Sequence, residues 1–198
     1  MSKALGMFHG AEQFLKMKEA IKDHCHTLAV TGITDGARAY FIAETVAEES
    51  GRALVLAHNM LDARSLRRDL EFFLGEDRVA LFPPKDYIYH NIEANNGDMV
   101  HDRIRVLSRI QGEKNLVVVT TVDAVMQYTL PPEDYSRYTL RLKPGDRVNL
   151  EQLSGQLVVM GYKMAATVEG PGQASFRGSN VDLFSPNMEN PVRVELFD

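Results

Sequence analysis

Tryptophan is absent from this 198-residue chain, and cysteine occurs once, at Cys25. A single thiol excludes an internal disulfide and fits a reducing cytoplasm. Long apolar runs are missing as well. None approaches the roughly 18 residues that read as a membrane span, and the opening MSKALGMFHG lacks the apolar core of a signal peptide. Excess positive charge is lacking too. At a formal net charge of −5, bulk electrostatics do not make the chain a non-specific nucleic-acid binder, so any DNA contact has to come from a local patch. Metal-ligand clusters are also scarce. His24, Cys25 and His26 are adjacent, but neighbouring side chains in an extended segment point to opposite faces, and no second cluster accompanies them. No metal site is expected. No Ser/His/Asp or Cys/His spacing supports a catalytic assignment.

What is present is an alternation of helical and strand-like patterns. Residues 8–24 carry Phe14, Leu15, Met17, Ala20 and Ile21 at helical spacing. Leu28, Ala29 and Val30 form a short apolar run that leads through Thr31-Gly32 into a second helix over 37–50, with Phe41, Ile42, Thr45 and Val46 on one face and Gly51 as its cap. Ala53–Ala57 is a strand covered on both sides. Asn59 caps a helix over 60–74 that buries Leu66, Leu70 and Phe73 and exposes Arg64, Arg67 and Arg68, with Asp62 completing an imperfect capping box. Val79–Phe82 is a third strand, 83–97 a long loop opened by Pro83-Pro84, and Asp98 the cap of a helix to about Ile110 with Val100, Ile104, Leu107 and Ile110 inward. Leu116–Thr120 is a fourth strand, followed by a short helix over Val122–Gln127. Four such alternations predict an α/β domain with a parallel sheet, over residues 1–129. Ligands of such sheets bind beyond the C-terminal strand ends, here Gly32–Arg38, His58-Asn59 and Thr120-Thr121.

Pro131-Pro132 marks a change of texture. Short strands are expected at 138–142, 166–168, 175–177, 181–184 and 192–197, with one helix over 149–160 ending at Gly161. These make residues 130–198 a small α+β domain. Arg193 and Glu195 alternate on the last strand, which predicts a charge pair on one face. The chain ends within a strand pattern, so a fragment of a longer protein is expected.

The segment from Leu28 to Glu49 has the layout of a phosphate-binding P-loop: strand, tight turn, helix N-terminus. The pattern G-x-x-x-x-G-K-[ST] needs backbone N–H groups to close on the phosphates, a lysine to reach them and a hydroxyl for Mg²⁺. Gly32 takes the first position and Gly36 lies within the loop, but Ala37 replaces the second glycine, Arg38 the lysine and Ala39 the Ser/Thr. The frame is kept and the chemistry is lost.

Thr31-Gly32-Ile33-Thr34, Leu56-Ala57-His58-Asn59 and Leu70–Leu74 resemble the first ATPase domain of UvrB. The degenerate P-loop and the short 83–97 loop, too short for UvrB's DNA-probing hairpin, point instead to the N-terminal UvrB-homology module of the bacterial transcription-repair coupling factors. Leu81-Phe82-Pro83 with Asp98, Arg103 and Leu107, then Tyr162-Lys163, Gly172, Arg177-Gly178, Asp182-Leu183-Phe184 and Pro191–Asp198 follow that family in order. The resemblance implies a UvrB domain 1-like unit followed by a UvrB domain 2-like unit that docks onto UvrA. By position, the docking set is Arg177, Lys163, Phe176, Asp182 and Phe184, while a third basic position seen in UvrB falls on Ser175. Arginine suits acidic partners because its planar fork takes a carboxylate through two hydrogen bonds.

The resemblance further implies that the parent is an ATP-dependent DNA translocase that meets RNA polymerase and DNA through its other parts. ATP and Mg²⁺ would belong to its motor region, beyond Asp198, and no cofactor to these residues. Two other readings stay open: a UvrB-like ATPase with residual nucleotide binding at the loop, and a DNA-binding module built on Arg64, Arg67 and Arg68.

Overall fold

Three β-branched or leucine-rich runs pair into one parallel sheet in the computed structural model, which describes Gly6 and residues 11–47, 52–85 and 96–197. Strands β1 (Ala53–Ala57) and β2 (Val79–Phe82) flank β3 (Val117–Thr121), giving the order β1-β3-β2. The central strand is buried along its whole length, as its uninterrupted apolar run requires. Helices α1 (Glu12–Lys22), α2 (Asp35–Ala47) and α3 (Met60–Leu74) precede and follow β1. With the 3₁₀ turn Glu76–Arg78 and the short helix α5 (Val122–Val125), they complete the first compact unit, residues 1–84 and 112–126.

The second unit holds residues 85–111 and 127–198. It contains α4 (Asn96–Gly112, all but its last residue), α6 (Pro132–Arg137) and α7 (Leu150–Val159). Its sheet runs β4 (Lys163–Met164), β5 (Gln173–Arg177), β6 (Asn180–Phe184) and β7 (Val192–Glu195) in that order. β4 is parallel to β5, and the other pairs are antiparallel. One face of this sheet is apolar: Ala174, Val181 and Leu183 pack on Leu153 and Leu157 of α7, with Phe176, Val194 and Tyr162 at the margin. At Gly172 (φ +78°), an added Cβ would stand 2.9 Å from His101 Nε2. Both the backbone angle and the close approach therefore demand glycine there.

Several expectations are corrected by this arrangement. Leu28–Val30 is not a strand; residues 27–34 have no regular structure and are exposed, and the parallel sheet has three described strands rather than four. A three-residue apolar run supplies strand propensity, but this run pairs with no described strand, and the outer edge of β1 stays unpaired among the described residues. The buried face of α2 is Ala39, Tyr40, Ala43 and Glu44, not Phe41, Ile42, Thr45 and Val46. That offset of one or two residues rotates the helix by one face. On α1 the inward residues are Phe14 and Met17, while Leu15 is exposed. On α4, Val106 and Arg103 are buried and Val100 is exposed. Burial of Arg103 is tolerated because its guanidinium donates to Gln127 Oε1 (3.3 Å), and burial pushes its pKa below the ordinary arginine value. Residues 138–142 and 166–168 form no strand, whereas Lys163–Met164 does. Helix α6, opened by Pro132 in its first turn, has no counterpart in the expected elements. The expected cap at Gly51 and residues 86–95 of the long loop lie outside the described residues.

Helix α3 and strand β2 match their expected limits, and α7 ends before Gly161 as expected. Among the described residues no helix is long and apolar enough to cross a membrane.

Candidate functional site

Two regions concern function, one in each unit. The first is the loop that resembles a P-loop. Gly32 has φ +82°, the left-handed region a glycine turn needs. Beyond it the geometry departs from a phosphate cradle. Helix α2 starts at Asp35, so Gly36, Ala37, Arg38 and Ala39 sit on its first turns rather than in an open loop. The Ala37 N–H donates to the Thr34 carbonyl at 3.0 Å, and Ala39 is buried. Arg38 turns to Asp62, with Nη2 2.5 Å from Oδ1. Asp62 is itself fixed at the start of α3, where its N–H donates to the Asn59 side chain (2.9 Å) and its Oδ2 lies 3.4 Å from the His58 N–H. The positive charge at the lysine position is therefore already matched by a carboxylate of the neighbouring helix.

Buried Glu44 was not anticipated from sequence. It lies on the core side of α2 at 1% exposure and accepts a hydrogen bond from Tyr40 Oη at 2.5 Å. The spacing of Tyr40 and Glu44, one helical turn apart, was the available signal.

Arg64, Arg67 and Arg68 are exposed on α3, as expected. They line an open concavity with Leu61, Ser65 and Glu71, and Arg67 Nε meets Glu71 Oε1 at 2.6 Å. His24, Cys25 and His26 are exposed, with His24 at φ +56°; no metal-ligating cluster occurs among the described residues.

The second region is the polar face of the β4–β7 sheet. Strand register sets which side chains share it. Lys163 pairs with Gln173 and Gln173 with Phe184; Ser175 pairs with Asp182 and Asp182 with Arg193; Arg177 pairs with Asn180 and Asn180 with Glu195. These residues alternate with the core residues, so Lys163, Arg177, Asp182 and Phe184 of the expected docking set lie on one face. Phe176 does not: it points to the apolar side and packs against the α7 cluster.

Arg177 is exposed, and its Nη2 donates to the Ala166 carbonyl and to Thr167 Oγ1 (2.9 Å). Ser175 is buried, its hydroxyl donating to the same Ala166 carbonyl at 3.0 Å. Asp182 receives Arg193 through two bonds, Nε at 2.6 Å and Nη2 at 2.9 Å. The hydrogen bond from Arg193 is the main cause holding the Asp182 carboxyl below the usual carboxylate range; the charges of Arg193 and Arg177 add to it, and desolvation opposes it. Arg193 is raised in turn. The arginine expected to pair with Glu195 thus pairs across the strands with Asp182, which antiparallel alignment of 180–184 with 192–195 brings opposite it.

Residues 140–198, which contain this whole face, match the family model of the UvrB interaction domain. The chain is 30% identical over 170 residues to the transcription-repair-coupling factor of Staphylococcus aureus (strain USA300) and 28% identical over 169 residues to that of Bacillus subtilis (strain 168). The resemblance to the coupling factors is thus shown. Each match takes in 85% of this chain and 14% of the coupling factor, so the chain spans about one-seventh of the length of these relatives.

Proposed function

We propose that this chain is a catalytically silent docking module that recruits UvrA in transcription-coupled nucleotide excision repair. In this reading residues 1–129 are a UvrB domain 1-like unit whose P-loop is degenerate, and residues 130–198 are a UvrB domain 2-like unit that meets UvrA. DNA translocation driven by ATP, and the encounter with RNA polymerase, belong to the remaining length of a coupling factor. The chain itself needs no nucleotide, metal or other cofactor.

One observation carries the reading: Arg177 stands exposed on the polar sheet face within the UvrB interaction domain match, with one amino group pinned to the 166–167 segment. A pinned guanidinium loses little side-chain freedom when it meets a carboxylate, which favours binding. Catalytic silence is supported by the missing lysine and hydroxyl and by the Arg38–Asp62 pair.

The test is a UvrA pull-down with the wild-type chain and Arg177→Ala, accompanied by an ATP-turnover assay. The expected result is capture by wild type, loss of capture by a folded Arg177→Ala protein, and no turnover. ATP turnover that Arg38→Ala abolishes would sink the silent-module reading in favour of a UvrB-like ATPase.

A further inference from the structure

We propose that the solvent face of α3 docks an acidic amphipathic helix of a partner polypeptide, with Leu61 and Phe72 as apolar anchors and Arg68 as the carboxylate contact between them. The proposal concerns the first unit alone and does not rest on the UvrA-docking reading.

At about 3.6 residues per turn, Leu61, Ser65, Arg68 and Phe72 of α3 fall in one line along the helix. That line lies opposite Ala63, Leu66 and Leu70, the buried residues that seat α3 in the first unit. The Asn59 side chain caps the helix start, so the line is carried by a 15-residue element held at its end and along its inner face.

Core packing accounts for neither end of the line. Leu61 is 68% exposed and Phe72 is 73% exposed. Phe72 meets Phe73 edge-on, with ring centroids 5.1 Å apart, and that contact leaves most of its surface open. Single exposed apolar side chains are ordinary on a protein surface. Here two of them share the one line of the helix that faces away from its core.

Arg68 lies between these two, exposed, and makes no hydrogen bond or ion pair among the described residues. Arg64 stands one turn before it and adds positive charge. Arg67 is placed differently: it sits on the flank, and its Nε meets Glu71 Oε1 at 2.6 Å. Its charge is matched within the helix.

Charge and composition both favour a polypeptide over nucleic acid. A phosphate chain gains affinity with each cation that neutralises it. On this face Glu71 takes Arg67, and Asp69 is exposed on the opposite flank, so a phosphate chain would meet carboxylates on both sides. Phenylalanine and arginine without lysine is the composition of a protein interface, where aromatic residues and arginine are enriched and lysine is depleted. Spacing sets the form of the partner. Leu61 and Phe72 stand about 16 Å apart along the helix axis. A partner helix lying beside α3 at the usual distance of about 8–10 Å reaches both anchors with apolar residues at the two ends of one face. A carboxylate between them meets Arg68.

The test titrates the chain with helical peptides of about 16 residues, long enough to span both anchors. The first peptide carries leucine near each end of one face and glutamate between; the second has lysine in place of the glutamate. Oligo(dT) of similar length is the nucleic-acid probe. The proteins are wild type, Arg68→Glu, Phe72→Ser and Arg147→Glu, each first shown to unfold at the wild-type midpoint. Leu61→Ser replaces Phe72→Ser if the latter is unstable. Arg147 is exposed in the second unit, so its reversal makes the same charge change away from α3.

Wild type is expected to bind the glutamate peptide and not the lysine peptide. Arg68→Glu should weaken that binding by about tenfold or more and gain the lysine peptide. Phe72→Ser should weaken it severalfold, and Arg147→Glu should bind as wild type. No binding of the glutamate peptide by wild type, or equal losses in Arg68→Glu and Arg147→Glu, overturns the inference. Binding of oligo(dT) more tightly than the peptide, with loss in Arg68→Glu, assigns the face to nucleic acid and overturns it too. So does a wild-type dimer in sedimentation that Arg68→Glu dissolves, which assigns the face to a second copy. None of these measurements involves UvrA, so failure here leaves the docking reading standing.

Discussion

In the first unit Arg38 meets Asp62 through one contact of 2.5 Å, whereas in the second Arg193 meets Asp182 through two, at 2.6 and 2.9 Å. The chemistry is the same and the setting differs. Asp62 is held at a helix start by Asn59, and it receives an arginine standing where a P-loop places its phosphate-binding lysine. That pair joins α2 to α3 and satisfies the charge from within. Asp182 lies on a sheet whose other face is packed on α7, and it holds an arginine outward on the open side. An arginine–aspartate pair therefore closes one site and presents the other, and what decides between them is which partner faces solvent.

The largest expected effect removes the support behind the presenting face. Leu157 is 1% exposed and sits in the cluster under Ala174, Val181 and Leu183. Leu157→Ala should cost about 2–5 kcal/mol of stability, the usual range for truncating a buried leucine. Denaturant unfolding measures it; a loss well below that range would mean the polar face does not depend on the α7 packing.

A smaller effect concerns the closed pair. Asn59→Ala removes the side chain that accepts the Asp62 N–H, and should cost about 1 kcal/mol as an N-cap deletion. Restoration by Asn59→Ser or Asn59→Asp in the same unfolding assay would tie the loss to the cap. Equal loss in every variant would point to another cause.

The smallest effect is a pH dependence. The Asp182 pKa is lowered in the folded chain, so the stability this pair contributes is fully present above the ordinary aspartate range. It is lost as the pH falls below that range through the lowered folded value. Its partner Arg193 is open to solvent, so the contribution is screened and modest. Comparing acid unfolding of wild type with Asp182→Asn checks it. The two curves should lie apart near neutrality and converge at the acid end; constant separation would deny the linkage.

Much of the architecture was legible in the residues. VALF and VVVT read as strands because burial on both faces leaves no polar alternation to disguise them; ALVLA reads the same way, but it is not covered on both sides, since Leu54 and Leu56 of β1 are exposed. The α3 limits followed from Asn59 and the arginine–leucine alternation, and the structure reproduces them at Met60 and Leu74. Local pattern was insufficient where a neighbour decides. The Leu28–Val30 run has strand propensity but pairs with no described strand and is exposed. On α2, Glu44 is buried because Tyr40 bonds it, an arrangement that hydrophobic periodicity counts against. Arg103 is buried in a comparable way, since Gln127 meets it from 24 residues away. For the docking face, the alternation in β5 and β6 separated Arg177 and Asp182 from the core. That Phe176 belongs to the core, and that Arg193 takes Asp182 rather than Glu195, depended on register across three strands.

The most direct test of the account is a side-by-side titration of UvrA with the wild-type chain, Arg177→Ala and Arg38→Ala. The account predicts that Arg177→Ala weakens binding by about tenfold or more while its unfolding midpoint is unchanged, and that Arg38→Ala binds as wild type. A folded Arg177→Ala protein that binds UvrA with wild-type affinity would contradict it.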